Sequence, residues 1–158
     1  MPDKLSLLGL LPEQSVLVNA SARDWRTAIR LAGEGLILGG AATAAYSDEM
    51  IATVEQLGPY IVIAPGLALA HSRPSPAVRR TGLSWVSLQE PVHFGHRDND
   101  PVRLVVGLAA TDHNQHTAAL GSLAQLLGAP ERMEELLTAP DAATVRHLIG
   151  NFDPEVPS

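Results

Sequence analysis

Six histidines and no cysteine set the terms of the chemistry open to this chain. His71 is the most informative of them. It ends an apolar run, residues 58–74 reading GPYIVIAPGLALAHSRP, and is followed by Arg73 and Pro74. A titratable side chain at the end of a buried strand is held by the core yet faces solvent. An unperturbed imidazole pKa of roughly 6.5 leaves a neutral, nucleophilic nitrogen at cellular pH. Such a ring can accept a phosphoryl group under three conditions. One nitrogen must be open to in-line attack, the other must be oriented by a carbonyl or carboxylate, and donors must neutralise the incoming oxygens. Arg73 and a second histidine could supply those donors. The competing reading is a purely structural histidine closing an apolar run.

Other chemistries find less support. His93 and His96 with Asp98 and Asp100, or Asp112 with His113 and His116, could offer metal ligands from two loops. No HExxH pair is present, and zinc needs three or four converging ligands with second-shell support, so no metal is expected. Ser72 adjoins His71, but neighbours on a strand point to opposite faces, and no G-x-S-x-G elbow exists. Neither a Walker-type loop nor a G-x-G-x-x-G is found, so no nucleotide or other cofactor is implied.

Elements that could position these residues follow from periodicity. Ser21-Ala-Arg-Asp24 has the form of a capping box, and Trp25, Ala28, Ile29, Ala32 and Leu36 follow at helical spacing up to Gly39-Gly40. A second helix is expected from near Ser47, with Met50, Ile51, Val54 and Leu57 on one face and Gly58 as its stop. Three strand-like segments follow, at 60–70, 82–88 and 102–110. Their continuous apolar character predicts strands buried on both faces, with helices covering the sheet. The loop PVHFGHRDNDP at 91–101 is rich in turn formers. A helix over 116–127 ends at Gly128. Two shorter ones follow, the first with Met133, Leu136 and Leu137, the second capped by Asp141 and carrying Val145, Leu148 and Ile149. The reading is a single α/β domain over 1–158, with its core at about 16–150 and a loose tail over 151–158.

Composition agrees with a globular domain. Of 158 residues, 46% are hydrophobic and 18% charged, and the formal net charge is -6. That charge argues against a nucleic-acid partner. The absence of cysteine excludes disulfides and thiolate chemistry. Leu5 to Leu11 is apolar and Ala20-Ser21-Ala22 superficially resembles a signal-peptidase site. Asp3 cancels Lys4, however, and Pro12-Glu13 ends the run early. No run reaches the roughly 18 apolar residues of a membrane span. A cytoplasmic location is the expectation, without membrane insertion.

The stretch 58–74, then Thr81-Gly82, then FGHRDNDPV at 94–102, and finally His116 before a helix, together resemble the IIA component (EIIA) of the bacterial sugar phosphotransferase system. The likeness is to the mannitol/fructose-type superfamily. GPYxVxAPGxAxxHxRP with the HxDNDP loop is most similar to its ascorbate-specific branch. The resemblance covers about residues 22–149. It implies a mixed β-sheet flanked by helices on both faces, and a phosphotransferase acting as a phosphocarrier. His71 would take a phosphoryl group from the phosphohistidine of HPr and pass it to a cysteine of the cognate EIIB, serving a membrane EIIC indirectly. His116 falls where the family has a second active-site histidine and would hydrogen-bond the phosphoryl oxygens.

Three departures from the family pattern stand out. Ala70 replaces the proline before the reactive histidine, and Ser72 replaces the glycine after it. No arginine lies between Met50 and Leu57, where mannitol-type members use one, so the cationic role moves to Arg73. An apolar ring with Leu67 and Leu69 is expected around the site as a docking surface for weakly bound partners. His96 falls on the loop pattern of the branch. Asp98, Asn99 and Asp100 read as turn caps, because carboxylates would repel phosphate. His93, His113 and His147 read as surface residues, and Trp25 and Trp85 as core. A regulatory EIIA-like module, whose phosphorylation signals state, is the alternative within the same fold. The sequence leaves open the sugar and the oligomeric state, a homodimer included.

Overall fold

The computed structural model of the chain describes residues 6–152. Its centre is an antiparallel pair of strands, β4 (Gly82–Val92) and β5 (Val102–Ala109). β1 (Val16–Ala20) runs parallel to β4 at one edge. On the other side β3 (Leu67–Ala70) runs parallel to β5, and β2 (Val62–Ala64) closes the sheet antiparallel to β3. The order β1-β4-β5-β3-β2 is therefore a mixed five-stranded sheet.

Alternation along the strands sends side chains into two separate cores. Ala68, Ala70, Val86, Val105 and Ala109 pack beneath α2 (Trp25–Leu38) and α3 (Ala44–Leu57). Leu67, Leu69, Leu83, Trp85, Leu104, Val106 and Leu108 pack against the opposite layer. That layer holds α1 (Leu7–Leu10), α4 (His113–Leu127), α5 (Pro130–Leu137) and α6 (Ala142–Phe152). Burying each of these leucines and valines contributes about 1.5–3 kcal/mol, so both faces of β4 and β5 hold the sheet in place. Helices on both faces and one domain agree with the expectation. Among the described residues, no helix is long and apolar enough to cross a membrane.

Helix α2 lies close on the sheet centre because small residues face each other there. A Cβ on Gly107 would stand 2.3 Å from the Ser84 hydroxyl and 3.3 Å from Ala32. The Ser84 hydroxyl is satisfied by the Ala32 carbonyl at 2.6 Å, so this buried polar group costs little.

Several expected boundaries move. The capping box at Ser21 does not form: Asp24 itself caps α2, its carboxylate accepting from the Thr27 amide at 2.8 Å. α3 begins three residues before Ser47. The segment 60–70 is a hairpin rather than one strand, since Pro65 and Gly66 form the turn and Gly66 adopts φ 77°. β1 was not anticipated; it is a five-residue edge strand, only half buried and interrupted at Asn19 with φ 53°. The core also extends before residue 16. Leu7 and Leu11 are each 1% exposed, and the Arg146 guanidinium donates to the carbonyls of Leu11 and Leu8, tying α1 to α6. Residues 151 and 152, expected in the loose tail, belong to α6, which runs through Phe152, beneath the Arg132 guanidinium. The rest of that tail lies outside the described residues. Trp85 is core as expected, whereas Trp25 is half buried under Arg26 and beside Phe94.

Candidate functional site

His71 follows β3 directly. Strand alternation places it on the face of Leu67 and Leu69, the face that α4 covers. Its Nδ1 lies 2.8 Å from the Leu69 carbonyl oxygen. A carbonyl can only accept, so Nδ1 carries the proton and Nε2 holds the lone pair of the neutral ring. The half-buried ring sits edge-on to Tyr60, with centroids 5.6 Å apart and planes at 78°. One nitrogen is thus oriented and the other left free for attack.

The second histidine arrives on α4. Asp112 caps this helix by accepting from the Gln115 amide at 2.8 Å, so the helix starts at His113 and not at His116 as its apolar periodicity suggested. His113 and His116 are then one turn apart on the same face. The His116 ring lies 5.1 Å from that of His71, tilted by 48°. Burial first, and then the neighbouring His71 and His113, hold the His116 pKa below the usual imidazole value.

Around these rings opens a groove of about 770 Å³. α3 supplies Thr53, Gln56 and Leu57, and the segment after β3 supplies Ser72, Arg73 and Pro74. Arg73 is exposed at its rim and, among the described residues, is engaged in no ion pair or hydrogen bond. Its guanidinium is free for an incoming anion. Ser72 faces away from His71, as alternation requires, and its hydroxyl meets that of Thr53 at 3.1 Å. Because Thr53 gives its proton to the Glu49 carbonyl at 2.8 Å, Ser72 is the donor in that pair.

His71, His116 and Arg73 therefore share one groove, as the sequence suggested. His113, read as a surface residue, is exposed but also lines it. The partners missed were Tyr60, Thr53 and Tyr46. The Tyr46 hydroxyl accepts from the Ser72 amide at 2.9 Å and stands 2.8 Å from the Leu108 carbonyl. No one-letter pattern marks a tyrosine whose partners are backbone groups 26 and 62 residues away. Leu67 and Leu69 do not ring the site: they are 6% and 2% exposed, because α4 covers their face. The exposed apolar side chains lining the His71 groove are Leu57 and Tyr60.

The loop expected at 91–101 is shorter, because β4 runs through Val92, and its residues 93–101 are built to hold their own shape. Asp100 accepts from the amides of Phe94, Gly95 and His96 at 2.7–3.0 Å. The His96 Nδ1 accepts from the amides of Asp98 and Asn99 at 3.2 and 3.1 Å. Both groups are committed to the backbone, and among the described residues no three histidine, aspartate or glutamate side chains converge as metal ligands. Asn99 reaches out of the loop. Its side-chain amide donates to the Val62 carbonyl and its own carbonyl accepts from Gly66, so the loop buttresses the hairpin that carries His71. His93 and His147 are exposed.

Comparison with known proteins identifies the family and the fold. The family model for the phosphoenolpyruvate-dependent sugar phosphotransferase system, EIIA 2, matches residues 9–152. The ascorbate-specific PTS system EIIA component of Salmonella choleraesuis (strain SC-B67) is 40% identical over 107 residues, 68% of this chain and 70% of that protein. A crystal structure of a putative PTS IIA domain from Streptococcus pyogenes M1 GAS superposes with a TM-score of 0.84 at 32% identity, covering 93% of this chain and 97% of that one. Enzyme IIA-Mtl from Escherichia coli, in its complex with phosphorylated enzyme IIB-Mtl, gives 0.78 at 28% identity over 89% and 97%. The groove around His71 thus belongs to a fold shared along nearly its whole length, and the chain is a member of the EIIA type 2 family of the sugar phosphotransferase system.

Proposed function

We propose that this protein is a cytoplasmic phosphocarrier that accepts a phosphoryl group on Nε2 of His71 and passes it on. The observation that carries the reading is the Leu69 carbonyl on Nδ1, which leaves Nε2 as the nucleophile. The donor is the phosphohistidine of HPr. The Nε2 lone pair forms the new P–N bond while the donor's P–N bond breaks, its electron pair returning to the donor imidazole. In the second step a cysteine thiolate of the cognate EIIB attacks the same phosphorus, and the His71 P–N bond breaks in turn. No cofactor is needed, since such transfer rests on positioning and on charge stabilisation.

His116 and Arg73 have the role of receiving the phosphoryl oxygens. His116 lies within one ring's reach of His71, and Arg73 carries the nearest free positive charge along the chain. The residues that α3 contributes to the groove, Thr53, Gln56 and Leu57, are all neutral. Similarity to ascorbate-specific relatives supports an ascorbate-like sugar acid as the substrate of the whole system. The structural neighbour bound to phosphorylated enzyme IIB supports EIIB as the acceptor. The test is phosphate transfer from phosphorylated HPr to wild type and to His71→Ala. Label is expected on the wild type alone, and label retained by His71→Ala would refute the assignment.

A further inference from the structure

Tyr46 stands where a backbone hydrogen bond is expected. β3 and β5 pair in parallel register from Leu67↔Leu104 to Ala70↔Gly107. Alternate amides along a strand face opposite neighbours. The Leu69 amide bonds to Ile61, on the hairpin side, at 2.8 Å, so the amides of Ala68, Ala70 and Ser72 turn toward β5. Continuing the register sets Ser72 opposite Ala109 and aims its amide at the Leu108 carbonyl. Those two groups are instead joined through the Tyr46 hydroxyl, 2.9 Å from the Ser72 amide and 2.8 Å from the Leu108 oxygen.

A phenol suits this place. It accepts one bond and donates one, so it completes the ladder without leaving either backbone group unpaired. The inserted oxygen takes the place of a direct bond one residue after His71, where the pairing of β3 with β5 stops. Tyr46 is 1% exposed and its pKa is pushed up to about 12, chiefly by burial, so the hydroxyl keeps its proton throughout the working pH range. The Ser72 carbonyl, at 3.2 Å, gives the same hydroxyl a further contact with the peptide unit that follows His71.

We propose that Tyr46 is a positioning residue for phosphoryl transfer: its hydroxyl, inserted between Ser72 and Leu108, fixes the strand end from which His71 presents Nε2. The inference rests on His71 being the phosphoryl acceptor. Without the hydroxyl, the Ser72 amide either closes onto Leu108, pulling His71 inward, or is left unpaired and mobile. Both movements spoil a geometry that in-line transfer requires within fractions of an ångström.

The experiment compares single-turnover transfer from phosphorylated HPr to wild type, Tyr46→Phe and Val145→Ala. Val145 is fully buried in the opposite core, on α6 away from the groove, and its truncation serves as a control for lost stability. Tyr46→Phe is expected to lower the limiting transfer rate about tenfold or more while leaving half-saturation by HPr within about twofold of wild type. Val145→Ala should transfer at the wild-type rate at a temperature where it is folded. Site-specific 3,5-difluorotyrosine at position 46 keeps the ring and hydroxyl but weakens the oxygen as an acceptor. Its expected intermediate rate keeps the inference testable should Tyr46→Phe fail to fold. Wild-type rates in Tyr46→Phe or the fluorinated protein would overturn the positioning role alone, as would equal slowing in Val145→Ala. Absence of phosphate from His71 in the wild type would overturn the phosphocarrier reading and this inference with it.

Discussion

The rings of His71 and His116 meet at 5.1 Å, the first at the end of β3 and the second one turn into α4. Burial, His71 and His113 all disfavour a charge on His116, whose pKa is lowered in the folded protein. In the unfolded chain the imidazole returns to its ordinary value near 6.5, so acidification protonates the unfolded state first. His116 therefore weakens the fold as pH falls from about 7 through 6.5, until the folded-state pKa is passed. His116→Gln should flatten the decline of the thermal midpoint between about pH 7 and 5. An unchanged slope in the variant would show that other groups set it.

Phosphorylation should reverse that shift. A phosphoryl dianion on Nε2 of His71 places negative charge where His116 now meets another imidazole, and this favours the imidazolium. An NMR titration of His116 is expected to show a higher pKa in the phosphorylated protein. A lower or unmoved value would mean that His116 does not face the phosphoryl group.

Arg73 is exposed, so solvent screens any charge it offers to a phosphoryl group. Exposed pairs of this kind contribute about 0.2–1 kcal/mol, so Arg73→Gln should slow transfer by up to about fivefold, more at low salt. A rate that does not respond to ionic strength differently in the variant would remove Arg73 from the transfer step. Stability should not change.

Asp100 acts at a distance from the chemistry. Its side chain, 11% exposed, accepts three backbone amides. Asp100→Ala leaves these donors without their acceptor and is expected to cost about 1–3 kcal/mol, read from urea unfolding. Asp100→Asn, which retains one acceptor oxygen, should fall between. Wild-type stability in Asp100→Ala would mean that water replaces the carboxylate at no cost.

Much of this architecture is legible in the chain because local signals and burial agree. The apolar runs of β4 and β5 read as strands buried on both faces, and Asp141 and Gly128 mark helix ends where they stand. His71, His116 and Arg73, singled out in the sequence, line one groove in the structure. Failures came where geometry overrides pattern. Pro65-Gly66 breaks an apolar run into a hairpin, and β1 is too short and too exposed to show alternation. Leu67 and Leu69 looked like a docking rim because a linear run does not say which face α4 will cover. Tyr46 was invisible for another reason: it serves backbone atoms, and backbone atoms have no letter in a sequence.

The Nε2 atom of His71 is the proposed carrier of the phosphoryl group. Mapping the modified residue by mass spectrometry, after mixing with phosphorylated HPr, and resolving the bonded nitrogen by NMR tests it most directly. One phosphoryl group is expected, on His71, attached at Nε2, with Nδ1 still protonated against the Leu69 carbonyl. Phosphate on His116 or His113, or on Nδ1 of His71, would contradict it.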